Sequence, residues 1–363
     1  MLKQKQSEKL ISTEGVRYMG SKRALLEVLL TRIQGLSGTR VLDGFAGTTR
    51  VSQALRQAGY VVHCNDVSDL SVLFGRVYIA NTPNESEKQE IQAWIKKLNT
   101  VPGKNGFIAD NYGAPISSPI LEGKKRPYWI VNAAKADAIR TEIEGIDNTV
   151  VKNALLVSLI LAMDKVENTL GHQVAYLKEW ASRALQPLWM ECPSFVYGPS
   201  GEVTQGRAED VAGEFDIAYF DPPYGTNNER YPQTRVRYAS YYHLWRTLIQ
   251  YNAPVLVGKS LRPADLSDRN DGVLSNYEST DYHTVYKAFE KLYGNSNARS
   301  IVCSYSNKSK LKVEDLIGIA KQYGSVEVEA TEYKENVQKK LVTTSAYLGD
   351  QEKNIEYLVI LKR

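Results

Sequence analysis

Arg40-Val41-Leu42-Asp43-Gly44-Phe45-Ala46-Gly47-Thr48 passes from an apolar run into a glycine-containing turn. Arg40 to Phe45 reads as a short buried strand, running into a turn that holds Gly44 and Gly47. Thr49 to Ala58 follows as a helix, closed by Gly59 in the usual C-terminal position. Tyr60 to Cys64 is a second β-branched run, ending in Asn65-Asp66. Strand, glycine turn, helix and strand at this length form a βαβ unit, so a parallel sheet is expected. The glycine turn lets backbone approach a ligand closely, and the helix start behind it favours a carboxylate or phosphate. Asp66 stands 23 positions after Asp43, near the ~20-residue spacing at which an acid reaches ribose hydroxyls. An acid such as Asp43 repels phosphate but suits the ammonium of an amino-acid ligand. That turns the choice from a dinucleotide towards S-adenosylmethionine. A plain βα turn without any ligand is the competing reading.

Outward from this unit, a polar leader gives way to a helix from Ala24 to Ile33. From about Val72 to Pro193 the pattern is helices separated by loops. Ala154 to Met163 reads as a buried helix too short to span a bilayer, and Lys104 to Pro127, rich in Gly, Pro and Ser, as a loop. The α/β rhythm returns at Phe195 to Val203 and at Phe215 to Phe220. Thr226 to Gly294 is polar and aromatic, with a helix expected from Ala239 to Ile249 and a short strand at Pro254 to Gly258. Ser300 to Ser304, Ser325 to Ala330 and Ile355 to Leu361 read as the last strands. The fold class expected is α/β, a doubly wound, mostly parallel sheet with a helical insertion.

The strand Phe215 to Phe220 runs straight into Asp221-Pro222-Pro223-Tyr224. An amino group conjugated with a base ring is a weak nucleophile. Two acceptors, the Asp221 carboxylate and the Pro222 carbonyl, can bond both of its hydrogens and favour the positive charge that develops as a methyl arrives. The prolines lock the backbone so that this carbonyl faces the site, and Tyr224 offers a flat surface for a base swung out of a duplex. A sharp Pro-Pro turn with a packed Tyr is the bland alternative. Its place after a buried strand, in a chain that already carries a cofactor turn, argues against it.

With these residues in view, the chain resembles the Dam-like adenine-N6 DNA methyltransferases, the alpha group with cofactor motifs ahead of the catalytic one. Arg17-Tyr18-Met19-Gly20-Ser21-Lys22 is similar to the family's N-terminal aromatic-x-Gly-x-Lys motif, whose aromatic and lysine line the cofactor's methionine end. Asp43-Gly44-Phe45-Ala46-Gly47 resembles the acidic-x-Phe-x-Gly turn, Asp66 the ribose-binding acid, and Asp221 to Tyr224 the catalytic tetrapeptide. Ser304-Tyr305-Ser306-Asn307 resembles a later sheet motif. The resemblance covers residues 15 to 75 and 195 to 225, more weakly the C-terminus, and leaves out the helical insertion. It implies Tyr18, Gly20, Lys22, Asp43, Phe45, Gly47 and Asp66 as cofactor-binding residues, and Asp221, Pro222 and Tyr224 as catalytic. The sequence departs from the pattern twice. Arg207 stands where many relatives place an Asp against the cofactor's adenine, leaving Glu209 or Asp210 for that contact. Thr48-Thr49 replaces a second glycine, with Thr49 a candidate helix N-cap.

A net charge of +4 over 363 residues excludes a uniformly cationic surface, so nucleic-acid contacts must be local. Two stretches mix cations with aromatics: Lys124-Lys125-Arg126-Pro127-Tyr128-Trp129, and Arg230 through Arg235, Arg237, Tyr238, Tyr241 and Tyr242. Such mixing suits phosphate neutralisation with stacking. The chain then divides into a cofactor half (15–75), a helical target-recognition insertion (76–193), a catalytic strand region (194–225), a DNA-contacting insertion (226–295) and C-terminal core strands (296–363). Three scattered cysteines and four scattered histidines show no metal-ligand or disulfide spacing, so no metal is expected. Val257-Gly258-Lys259-Ser260 ends like a phosphate-binding loop but lacks its glycine-rich approach. With no apolar leader, the expected location is cytoplasmic, the partner double-stranded DNA, with a cognate restriction endonuclease in the same system. The competing functions are cytosine-N4 transfer, which usually has Ser at the place of Asp221, adenine methylation in RNA, and a non-catalytic DNA-binding subunit.

Overall fold

The computed structural model describes residues 11–116, 126–174, 176–177, 179–224, 237–266, 275–333 and 354–363. Its main sheet has seven strands: β1 (Arg40–Asp43), β2 (Val61–Asp66), β3 (Glu202–Gln205), β4 (Ile217–Phe220), β5 (Ser300–Ser306), β6 (Ser325–Tyr333) and β7 (Asn354–Lys362). Their order across the sheet is β6-β7-β5-β4-β1-β2-β3. All neighbours are parallel except β7, which runs antiparallel to β5 and β6 on either side. The chain winds outward from β1 through β2 to β3, then returns to lay β4 on the other side of β1. That reversal opens a crevice at the carboxyl ends of β1 and β4, the place where open α/β sheets bind ligands.

Side chains alternate across the sheet with period two. Val41, Val62, Ile217, Tyr219, Val302 and Leu358 join one buried cluster, while Leu42, Ala218, Phe220, Ile301, Cys303 and Val359 join another on the opposite face. The first face is covered by α1 (Leu26–Gln34), α2 (Arg50–Gln57) and α3 (Asp69–Gly75). The region 76–193 supplies α4 (Glu85–Thr100), α5 (Phe107–Tyr112), α6 (Ile130–Glu144) and α7 (Thr149–Val166), whose apolar residues join the same core. Helix α7 contains the greasy run around Leu156 and Leu159. No helix among the described residues is long and apolar enough to cross a membrane. Two short helices, α8 (Tyr238–Tyr241) and α9 (His243–Gln250), precede α10 (Tyr282–Asn295) and α11 (Val313–Ala320), and the last two cover the second face.

Four expectations are corrected. Phe195 to Val203 is not a strand: the strand is Glu202–Gln205. The approach to it is fixed by glycines, since a Cβ on Gly198 would lie 2.3 Å from the Arg56 carbonyl oxygen and one on Gly201 2.2 Å from that of Val62. Phe107–Tyr112 is helical inside the expected loop, because the Asp137 carboxylate, 29 and 28 residues away in sequence, accepts the Ile108 and Ala109 N–H groups at its start. Thr49 occupies the N-cap position of α2 without capping it. It sits at φ +59°, and its hydroxyl accepts from Gln53 Nε2 at 3.0 Å. A left-handed threonine costs about 1–2 kcal/mol, strain that a glycine would avoid. Pro254 to Gly258 contributes only Leu256–Val257 to a small hairpin with Arg262–Pro263. Gly258, at φ +75°, therefore lies in a hairpin rather than between a strand and a helix.

Candidate functional site

The crevice is a cleft of about 740 Å³, within the range of small-molecule sites. All ten residues expected to bind cofactor or act in catalysis line it: Tyr18, Gly20 and Lys22 before α1, Asp43, Phe45 and Gly47 after β1, Asp66 at the end of β2, and Asp221, Pro222 and Tyr224 after β4.

The β1 turn is held from both sides. Gly44 N–H donates to the Tyr219 carbonyl at 3.0 Å and Ala46 N–H to that of Asn65 at 3.0 Å. Gly44 permits this closeness, since a Cβ there would lie 2.7 Å from the Phe220 ring. Gly47, at φ +50°, lies against the edge of Tyr18, whose ring stacks on Tyr242 at 4.3 Å. Asp66 accepts from Gly47 N–H at 2.8 Å and from Ser68 N–H at 2.9 Å. A carboxylate offers about four acceptor positions, so ribose hydroxyls can still be taken.

Asp43 is the least satisfied of these acids. Ser52 Oγ donates to its Oδ2 at 2.6 Å, while Oδ1 is buried with no hydrogen-bond partner among the described residues. Burial pushes its carboxyl up to about 7 and outweighs the Ser52 bond. A cation brought into the turn would ionise it and satisfy Oδ1. That orphaned oxygen beside a glycine turn, with a second acid at β2 for hydroxyls, fits S-adenosylmethionine, which carries an ammonium and a ribose.

The catalytic tetrapeptide is wired to residues far away in sequence. Lys22 Nζ lies 2.9 Å from Asp221 Oδ1 and 3.1 Å from Glu356 Oε1, and donates to Tyr224 Oη at 2.6 Å. The Tyr224 hydroxyl lies 2.5 Å from Asp221 Oδ1 and 2.6 Å from Glu356 Oε1. Ser304 Oγ donates to the same Glu356 oxygen at 2.5 Å. Burial pulls the Lys22 ammonium down, but Asp221 and Glu356 outweigh it and hold it above the ordinary lysine range. Burial pushes the Asp221 carboxyl up, and Lys22 opposes the rise. Tyr224 packs edge-on against Tyr305, and Lys22 Nζ sits 4.7 Å from its ring centre.

Glu356 was missed by sequence reasoning, although a signal existed: it is the one acid in the apolar run Ile355 to Leu361, and it is 3% exposed. Glu278 was also missed. It lines the cleft, accepts from Tyr238 N–H at 2.9 Å, and is pushed up to about 6 by burial. Of the two acids near Arg207, Glu209 is buried in the cleft wall and accepts from Tyr277 Oη at 3.4 Å. Asp210 is paired with Lys291 outside it. Tyr238 and Tyr242 turn into the cleft against Tyr18. Arg237 is 7% exposed, with its charge acting on Glu278. Arg126 is half-buried, close enough for its charge to act on Tyr112 and Tyr176. Neither arginine lines the cleft. Lys124, Lys125, Arg230 and Arg235 lie outside the described residues.

Residues 18–301 match the family model of the D12 class N6 adenine-specific DNA methyltransferases. The chain belongs to this family. Membership gives it an S-adenosylmethionine-dependent DNA methyltransferase unit, in agreement with the cofactor turn and the tetrapeptide. The modification methylase LlaI of Lactococcus lactis subsp. lactis is 28% identical over 96% of this chain and 55% of its own length. The type II methyltransferase M.NlaIII of Neisseria lactamica is 28% identical over 93% of this chain and 99% of its own. The modification methylase StsI of Streptococcus sanguinis is 30% identical over 88% and 48%. The chain thus spans about half the length of LlaI and StsI and nearly all of M.NlaIII.

Proposed function

We propose that this protein is a site-specific DNA methyltransferase that methylates the N6 amino group of adenine in duplex DNA. The observation that carries this reading is the Asp221-Pro222 acceptor pair lining the same cleft as Asp43 and Asp66, which suit S-adenosylmethionine. Bound there, S-adenosylmethionine supplies an electrophilic methyl group. Asp221 and the Pro222 carbonyl hold the two amino hydrogens of the base, and their negative ends stabilise the charge that grows on nitrogen. The proton leaves only after transfer, so no strong base is needed. Tyr224 stacks on the flipped base with the ring surface that Lys22 does not cover. Asp66 takes ribose hydroxyls and Glu209 the cofactor's adenine.

Duplex DNA must be held from outside the sheet. The helical region is assigned to target recognition, with Lys124, Lys125 and Arg126 reaching base edges, and Arg230, Arg235 and Arg237 gripping phosphates around the flipped base. Arg237, buried with its charge acting on Glu278, has to turn outward to reach a phosphate. The relatives are named as modification methylases and type II methyltransferases, which supports a restriction-modification role with a cognate endonuclease, and a cytoplasmic location goes with that role. Asp rather than Ser at position 221 favours adenine over cytosine. The substrate class is tested with methyl-labelled S-adenosylmethionine. Label should enter mixed-sequence duplex DNA and leave RNA of matching sequence unlabelled, whereas label in RNA alone would overturn the assignment.

A further inference from the structure

Glu356 is a buried carboxylate outside the cleft lining, yet it shares both donors that reach Asp221 among the described residues. Strand β7 places it beside β5, opposite Ser306 and within reach of Ser304. The described partners of Asp221, Lys22 Nζ and the Tyr224 hydroxyl, both fall on its Oδ1, and both also reach Glu356 Oε1. The hydroxyl has one proton and can donate it to only one of the two carboxylates. One ammonium therefore faces two carboxylates, and the ionised cluster keeps one negative charge.

We propose that Glu356 is a positioning residue: by drawing Lys22 and Tyr224 partly onto itself, it leaves Asp221 with the uncompensated negative charge that the methylated amino group requires. The proposal rests on Asp221 being the acceptor for that group. Without the Glu356 charge, Lys22 would pair with Asp221 alone, Tyr224 would donate to it fully, and less of the carboxylate's field would reach the base.

The same geometry sets the pH dependence. Asp221 is faced by Lys22 from the N-terminal segment, Asp43 from β1, Tyr219 and Tyr224 from its own strand and turn, Tyr238 from α8 and Cys303 from β5, besides Glu356. Asp221 acts ionised, so activity falls as pH drops through its pKa. Glu356 is a like charge that helps to raise that pKa, after burial. Removing the charge should move the acid limb of the rate profile to lower pH.

Glu356→Gln keeps the side chain's size and removes its charge. Single-turnover methylation by the full chain should slow on the order of tenfold, the effect that about one pKa unit of interaction carries. Affinities for S-adenosylmethionine and for DNA should stay as in the wild type, with the acid limb shifted down. A wild-type rate with an unmoved limb would overturn the proposal. So would loss of cofactor affinity with an unmoved limb, because that marks a purely structural role. If E356Q does not fold, Ser304→Ala serves instead. It strips one donor from Glu356 and leaves its charge, so Glu356 draws harder on Lys22 and Tyr224 and the acid limb should rise. An unmoved limb there would equally overturn the idea. Absence of any DNA methylation by the wild type would instead count against the enzymatic reading itself.

Discussion

Replacing Asp221 by alanine is expected to abolish methyl transfer while leaving cofactor binding and the fold largely intact. Asp221 offers its acceptor to the target amino group, and loss of one well-placed electrostatic partner in such a site costs on the order of 10²–10³ in rate. The cofactor-facing acids sit on other strands, Asp43 on β1 and Asp66 on β2. Lys22 keeps Glu356 as a partner at 3.1 Å, so no buried charge is left unpaired. Single-turnover assays with saturating DNA, read beside calorimetry of S-adenosylmethionine, separate the two effects. Near-normal turnover in the mutant would sink the mechanism.

Lys22→Met should be the most destabilising of the substitutions considered, as well as inactive. The side chain of Lys22 is 6% exposed, against 17% for Asp221 and 3% for Glu356. Removing the cation leaves two buried carboxylates facing each other around Tyr224. Breaking a buried pair by deleting one partner typically costs about 3–5 kcal/mol. The acids would relieve part of this by sharing a proton, which fixes the sign of the pH effect. Their folded-state pKa would then lie above the unfolded value, so the mutant loses stability as pH rises through it and recovers as pH falls. Thermal melts of wild type and mutant between mildly acidic and mildly alkaline pH should diverge upward in pH. A gap that is constant or widens towards acid would contradict the wiring of this cluster.

Much of this architecture was legible in the chain because local rules and tertiary structure agree there. Strand β1, the turn at Gly44 and Gly47, helix α2 and strand β2 follow from apolar runs, a C-terminal Gly59 at φ +94°, and spacing. The tetrapeptide lies at the carboxyl end of β4, as its place after a buried strand implied. What escaped depends on partners distant in sequence. Helix α5 starts on a carboxylate from α6, and glycine contacts with α2 and β2 fix the chain before β3. Glu356 belongs to the site only because β7 inserts between β5 and β6, which no periodicity in the last strand reveals. The stretch from Arg230 to Tyr242 was read for phosphate contact and stacking, and two of its aromatics, Tyr238 and Tyr242, pack on Tyr18 in the cleft, a direction that composition does not specify.

In the proposed reaction, Asp221 and the Pro222 carbonyl present a base amino group, that of adenine, to the methyl donor. The most direct test is to incubate the protein with methyl-labelled S-adenosylmethionine and mixed-sequence duplex DNA, digest the product to nucleosides, and identify the labelled one. The expected result is N6-methyladenosine in its deoxy form as the labelled product, entering on the order of 10²–10³ more slowly when D221A replaces the wild type. Label in N4-methylcytosine, or label entering at a near-wild-type rate with D221A, would contradict this mechanism.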